Sequence, residues 1–369
     1  MLARELLKKR GSTIAVRFGT AMAWSELSNR AQRATTVVRA AMRQLEDTAR
    51  LKSDTPGATV LLKPSGFSRT AAIAAEIEGL SKDLLVESGP FQVFCVRADQ
   101  IPATLPEIGR LRELTYRAVG EGTGRALDLD RFDERYLHLF SWDGEQQRIV
   151  GAYRLGQTDR VVAAEGVDGL YTRTLFRYDA RFIDRMPAPA LELGRSFVRE
   201  EYQKNYSALL LLWRGIGQFV ARHPRYRILF GPVSISARYA DSSHQLLMSF
   251  LQQNHLASEF HELVDALHPP RLAPAPAASS RIPQTAGEVD RLVGRLEADG
   301  KGMPVLLRQY LKLNARLIGF NVDPAFGEAL DALMLVDLAA VDRAILNRYM
   351  GRTGAGQFLN RHGLESAAA

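Results

Sequence analysis

The sequence predicts an α/β protein, and three observations carry that reading. Residues 190–217, ALELGRSFVREEYQKNYSALLLLWRGIG, hold a strand, a polar break and an apolar helix in direct succession. From Gly89 onward, strand-like runs alternate with helix-like ones. The 369 residues, 46% of them hydrophobic, suffice for two soluble domains of ordinary size.

In the central stretch, residues 191–198 read as a strand with Glu192 and Arg195 set among apolar or small residues. Residues 199–205 are polar. Residues 206–220 read as a buried helix, with Leu209, Leu210, Leu212, Trp213 and Ile216 at helical spacing. A helix start offers free N–H groups to an anion, and the charged pair beside it suits proton and positioning chemistry. A buried ion pair with a purely structural role fits the same residues. Trp213 is expected to fill core space.

Composition narrows the partners. A formal charge of +7 suits nucleic acid, an anionic membrane surface or an acidic carrier protein, without choosing among them. No recognised nucleic-acid motif is present, so no nucleic-acid partner is expected. The one cysteine, Cys95, excludes an intramolecular disulfide framework and a cysteine zinc site. It lies in the strand-like FQVFCV and is expected to be structural. No metal site is expected. No apolar run reaches transmembrane length. MLARELLKKRGS lacks the apolar core of a secretory signal. The location expected is cytoplasmic.

Taken in order, residues 2–9 form a short basic helix and residues 13–18 a strand. Ser25 caps a helix running to about Lys52. Residues 53–68 are a loop, and residues 69–84 a helix. After Gly89, residues 91–98 alternate as a strand and residues 102–117 form a helix. Residues 118–126 are a Gly-rich loop, and LDLDRFD (127–133) is acidic. Residues 135–142 and 149–155 pair across the turn 143–147. Residues 156–188 are irregular, with a short helix near 180–185. Beyond the central stretch come a strand at 228–235 and a helix at 243–253 capped by Ser242. A Pro/Ala-rich excursion follows at 267–283. Helices are expected at 286–299 and at 303–313, the second opened by Pro304. A strand at 330–336 and a helix at 339–350 close the chain, followed by a mobile tail over 351–369.

Five segments then resemble one family in their shared order. They are Arg112 and Tyr116 in RELTY, Asp130 and Asp133 in LDLDRFD, Arg154 in GAYRL, Glu192 and Arg195 in ELGR, and PVLLRQYLKLNARLIGF followed by DPAF. Over about residues 89–337 the chain resembles the ornithine lipid synthases, hemolysin-like N-acyltransferases. These are distant members of the GNAT acyltransferase superfamily. They are similar to acyl-homoserine-lactone synthases, which use acyl carrier protein (ACP) thioesters. The resemblance implies a GNAT-like acyltransferase fold, a central mixed sheet flanked by helices, over residues 89–350. Residues 1–88 would be a small N-terminal α/β extension. Within it, ARELLKKRGSTIAVRFGTAM resembles the last strand region of a glycerolipid (lysophosphatidate-type) acyltransferase domain, whose Asn-His-x4-Asp signature would lie upstream. That segment reads as a remnant of such a domain. His138 and Asp143 share the H-x4-D spacing but fall across a strand and turn in the other domain, a coincidence.

The reaction implied by the resemblance moves a long-chain fatty acyl group, with or without a 3-hydroxyl, from ACP to the α-amine of an amino acid such as ornithine. It needs a base, donors for an oxyanion and a groove for the phosphopantetheine arm. Glu192 is the candidate base, directly or through water, with Arg195 beside it as its catalytic partner. Arg195, Arg154 and Arg112 orient acidic groups or bind the carboxylate. Tyr116 joins the substrate site, and Asp130 and Asp133 hold the amine or pin a loop. Residues 199–208 contain no glycine, so this segment wraps a pyrophosphate poorly. That favours a carrier-bound donor with one phosphate, met by Arg199 or Lys204, over acyl-CoA. No tightly bound cofactor is expected; acyl-ACP is a co-substrate. A lipid-like product implies peripheral membrane contact. Residues 207–220 and 305–320 line an acyl tunnel or are plain core. Two other readings stand beside this one: an acetyl-CoA-dependent GNAT N-acetyltransferase, and a catalytically idle membrane-associated relic.

Overall fold

A computed structural model describes residues 65–204, 207–271 and 283–364. The elements expected before residue 65, the glycerolipid acyltransferase likeness among them, lie outside the described residues, as do residues 272–282 of the Pro/Ala-rich excursion.

The main sheet has eight strands in the order β1-β2-β3-β4-β6-β7-β10-β9. They are β1 (Leu84–Ser88), β2 (Phe91–Val96), β3 (Leu137–Asp143), β4 (Arg148–Gln157), β6 (Ala190–Val198), β7 (Ile228–Ile235), β9 (Arg316–Asp323) and β10 (Ala329–Asp337). All neighbours are antiparallel except β6 and β7, which are parallel. A short ribbon pairs β5 (Phe176–Tyr178) with β8 (Val264–Ala266). The longer helices are α1 (Ser65–Gly79), α2 (Thr104–Val119), α3 (Thr158–Glu165), α4 (Ser207–Arg222), α5 (Asp241–His255), α6 (Ala286–Leu296), α7 (Val305–Lys312) and α8 (Arg343–Arg361).

Strand alternation sorts the side chains between two faces. Val93, Leu139, Leu193, Val233 and Met334 join the core that holds Trp213 of α4, Val293 of α6 and Tyr310 of α7. Their strand neighbours Phe94, Phe140 and Phe197 pack instead with Ile108 and Leu111 of α2. Phe230 and Leu333 pack with Phe176 and Phe260. Trp213 fills core space as expected, against the rings of Tyr153, Tyr310 and Tyr349.

One break in this sheet matters most. Pairing of β6 with β7 covers only Ala190–Glu192 against Ile228–Phe230, although both strands run on. At Gly231 the backbones are so close that an added Cβ would lie 2.0 Å from the Leu193 carbonyl. The next residue, Pro232, has no N–H to donate to β6. The ladder stops there and the strands part.

Several sequence expectations shift. The helix expected over residues 69–84 ends at Gly79, and Leu84 instead opens β1 with residues 85–88, which carry no expectation; Val86 is buried opposite Val93. The boundary placed at Gly89 therefore falls inside a hairpin. β9 was not assigned as a strand. Ser242 is not the cap of α5; Ala240 precedes it without a side-chain bond. Pro304 sits just before α7, at its cap position. The final helix begins at Arg343, capped by Asp342, and runs to Arg361 with Phe358 and Leu359 buried. Residues 351–361 are thus ordered helix, not mobile tail.

Candidate active site

Where β6 parts from β7, it also slips against β4. Ala152 faces Phe197 but Arg154 faces Gly194, so Arg195 and Ser196 together oppose Tyr153. Arg195 takes a φ of 49°, in the left-handed region that costs a side-chain-bearing residue about 1–2 kcal/mol. Its surroundings hold it there. The guanidinium lies 3.3 Å from Asp128 and 3.7 Å from Asp130, and 5.0 Å from the ring centres of Tyr171 and of Phe326.

Between the parted strands lies a polar cavity of about 110 Å³. Its inner wall carries Arg195, Tyr171, Tyr310, Asp323 and Asp331. Its neck is shared with a second, larger space of about 480 Å³ and is formed by Tyr116, Glu121, Tyr153, Ser196, Ser234 and Leu306. That outer groove is mostly apolar, with Val119, Phe197, Leu209 and Val305 along it.

Two carboxyl groups here are poised near neutrality. Asp331 on β10 is opposite Ser234 and accepts its hydroxyl at 2.7 Å. Burial pushes Asp331 up to about 7, partly offset by Ser234, reinforced by Asp323 and Glu121, and opposed by Arg195. Burial likewise pushes Glu121 up to about 7, against the pull of Arg238.

Behind the cavity, three arginines meet three aspartates. Arg112 donates to the Asp133 carboxylate at 2.9 Å and to the Asp128 carbonyl at 2.5 Å. Arg154 pairs with Asp130 at 2.5 Å and Asp133 at 3.2 Å, inside a cage of Phe132, Tyr136 and Tyr171 rings. Asp130 caps the turn Arg131–Glu134 by accepting from the Phe132 N–H, and Asp133 reaches back to the Asp130 N–H at 2.8 Å. Burial pushes the Asp133 carboxyl up, but Arg112 and Arg154 outweigh it and hold it below the usual range. His138 contacts the Asp133 carbonyl at 2.8 Å, and burial lowers its pKa to about 4, so it is neutral. Asp143 instead caps a turn through Glu145 and Gln146. The two do not form a catalytic pair.

The family-matched residues therefore divide. Arg195 and Tyr116 reach the cavity; the Tyr116 hydroxyl donates to the Ser196 carbonyl at 2.9 Å. Arg112, Arg154, Asp130 and Asp133 lie outside its lining; Asp130 and Asp128 pair with Arg195 from behind, and Arg112, Arg154 and Asp133 hold those two. Glu192 does not line the cavity either. Its carboxylate accepts the Tyr136 hydroxyl, the Tyr171 N–H at 3.1 Å and the Thr172 N–H at 2.6 Å. These bonds fix the turn Tyr171–Thr174 and leave the expected base occupied. Arg199 is paired with Glu201 at 2.7 Å and borders a separate cavity with Arg69 and Arg110. Lys204 is exposed and lines neither space.

Sequence reasoning did not single out Glu121, Tyr153, Tyr171 or Asp331. Asp331 carried a usable signal, a lone charge inside the apolar run ALDALMLV, which was the feature that marked Glu192 and Arg195. Glu121, between two glycines of a loop, carried none. Asp323 entered only as part of DPAF.

A split mixed sheet with a polar cavity opening into an apolar groove suits acyl transfer. Residues 111–214, from within α2 into α4, match the acetyltransferase (GNAT) domain, and the chain is an acyltransferase of that fold. It is 29% identical to a glycine N(alpha)-acyltransferase of Bacteroides thetaiotaomicron, over 69% of this chain and 78% of that one. It is 30% identical to the L-ornithine N(alpha)-acyltransferase of Brucella abortus, over 60% of this chain and 74% of that one. The chain belongs to this N(alpha)-acyltransferase family. Among solved structures, a CoA-dependent acyl-homoserine lactone synthase aligns at 13% identity and a TM-score of 0.34, covering 74% of this chain and 97% of that one.

Proposed function

We propose that the protein transfers a long-chain fatty acyl group from acyl-ACP to the α-amine of a free amino acid, ornithine or glycine, giving an N-acyl amino acid. The observation that carries this is the polar cavity that sets one guanidinium, Arg195, among the carboxyls of Asp323 and Asp331 and opens into an apolar groove. An α-amino acid presents the complementary pair. Its carboxylate suits the planar fork of Arg195, and its ammonium suits the acidic wall. The outer groove would take the acyl chain and pantetheine arm. Arg112, Arg154, Asp130 and Asp133 would act through Arg195, and Glu192 through Tyr171.

The net charge of +7 supports an acidic carrier as donor. Arg199 is committed to Glu201, so Lys204, next to the groove residue Gln203, is the better candidate for the pantetheine phosphate. Contact with a membrane surface would follow from the lipid-like product. No helix among the described residues is long and apolar enough to cross a membrane.

The test is a donor and acceptor screen read by mass spectrometry. Purified protein is incubated with long-chain acyl-ACP or acyl-CoA and single amino acids. The expected result is an N-acyl amino acid from acyl-ACP. Product only from acyl-CoA would overturn the carrier assignment. No product from either donor, with the protein folded, would overturn the reading as a whole.

A further inference from the structure

Reaction requires the amine held in the polar cavity to meet the thioester carbon held in the apolar groove. They can meet only at the neck, where a hydroxyl proton and a carboxyl remain uncommitted. The Tyr153 hydroxyl is buried; the Ser196 hydroxyl and the Trp213 N–H stand where they can donate to its oxygen, and no group accepts its proton. Glu121 is buried, 8% exposed as a residue, and lines both spaces. By contrast Tyr116 is bound to the Ser196 carbonyl and Ser234 to Asp331.

Glu121 is held with unusual care for a loop residue. It follows Gly120, which ends α2 at a φ of 89°, and its N–H returns to the Tyr116 carbonyl at 2.8 Å. Gly327 lies so close that a Cβ there would come 2.0 Å from the Gly120 carbonyl. Downstream, Glu113 of α2 anchors the same loop by accepting from the Thr123 N–H and hydroxyl and the Gly124 N–H, at 2.7–2.9 Å. A long polar loop pinned at both ends, with one free buried carboxyl between, is a way of presenting that carboxyl.

We propose that Glu121 takes the proton from the acceptor's ammonium and that the Tyr153 hydroxyl holds the thioester oxygen, making the neck the reaction centre. This rests on the reading as an amino-acid N-acyltransferase. Glu121 takes one ammonium proton and releases it to solvent. The neutral nitrogen bonds to the thioester carbon while the carbonyl electron pair moves onto oxygen, where Tyr153 donates a hydrogen bond. The C–S bond then breaks, and the leaving thiolate takes the second nitrogen proton. Burial brings Glu121 to about 7, suited to a base at neutral pH. Burial raises the Tyr153 hydroxyl, which therefore stays protonated and able to donate. The groups facing Glu121 are Arg238 beyond β7, Tyr116 on α2, Asp331 on β10 and Asp323 at the end of β9.

The experiment is kcat and KM against pH, from acidic to strongly alkaline, for the wild type, Glu121→Gln and Tyr153→Phe, using the donor and acceptor that the screen identifies. At neutral pH Glu121→Gln should lose about 10²–10⁴-fold in kcat with little change in acceptor KM. The defect should shrink at alkaline pH, where the amine sheds its proton unaided. Tyr153→Phe should lose about 10²–10³-fold equally at every pH. Wild-type kcat in Glu121→Gln, or a defect that is constant with pH, would overturn the assignment. Should Glu121→Gln fail to fold, Arg238→Gln serves instead. Removing that cation raises the Glu121 pKa, so the acid limb of kcat/KM must move to higher pH; an unmoved limb overturns the proposal. A wild type that makes no product sinks the parent reading instead.

Discussion

Two buried charged regions lie side by side in this molecule and are built on opposite principles. In the network behind the cavity, Arg112 and Arg154 are matched by Asp130 and Asp133, each with hydrogen-bonding partners. In the cavity, Glu121, Asp323 and Asp331 share the lining with a single guanidinium, Arg195, that Asp128 and Asp130 already pair, and two of the three are driven toward neutrality. The first region is matched in charge and resembles a scaffold, although Arg112 Nε, Arg154 Nε and Arg154 Nη2 have no hydrogen-bond partner. The second is short of cation, and a substrate ammonium would supply it. Natural sites commonly give up stability in this way to keep groups available for a ligand.

The largest loss of stability should come from breaking the charge-matched side. Arg154→Met removes the buried cation that Asp130 and Asp133 share, leaving Asp133 to Arg112 and Asp130 to Arg195, and should cost about 3 kcal/mol, read as a lower midpoint in urea unfolding. The cavity side should respond in the opposite direction. Asp331 has a folded pKa of about 7 against an ordinary 3.8, so between those values the folded state binds more protons than the unfolded one. Stability therefore falls as pH rises through that window. Asp331→Asn removes the penalty, worth up to about 4 kcal/mol. It should raise the melting temperature at pH 8 and leave it nearly unchanged near pH 4, while weakening acceptor binding.

Glu192 is the case that decides between the two principles. The sequence marks it as a base, whereas its three hydrogen bonds place it with the scaffold. Glu192→Gln should cost about 1.5–3 kcal/mol, as expected for hydrogen bonds to a charged group. Its activity loss should appear in acceptor KM through Tyr171, with the acid limb of the pH profile in place. A limb that disappears would return Glu192 to the catalytic role. The smallest effect belongs to Arg199→Ala. Glu201, its partner, is half exposed, such pairs contribute about 1 kcal/mol or less, and donor KM should barely change.

The charge-matched region was far more legible in the sequence than the cavity. Arg112, Asp130, Asp133, Arg154 and Glu192 occur in short motifs with fixed spacing, because each must meet partners on a neighbouring strand or turn. Most strands and helices were legible for a similar reason, periodic burial. The groups at the neck have no such signature. Glu121 depends on where a glycine-flanked turn ends, and Tyr153 depends on a bulge that sets two residues of β6 against one of β4. Pro232 and Gly231 sit openly in ILFGPVSI, but only the pairing shows that they end the β6–β7 ladder. The order of α8 past Gly351 was missed because that segment's helix is irregular there, with a φ of 75° at Gly351.

The central claim is that the polar cavity holds an amino acid by both of its ends, and thermal unfolding with acceptor alone tests it most directly. A ligand that binds only the folded protein stabilises it in proportion to its occupancy. Ornithine or glycine should raise the melting temperature, whereas the corresponding amine without its carboxylate and the N-acetylated acid should not, and Arg195→Met should abolish the response. Equal stabilisation by the amine and the intact amino acid, or an undiminished response in Arg195→Met, would contradict the account.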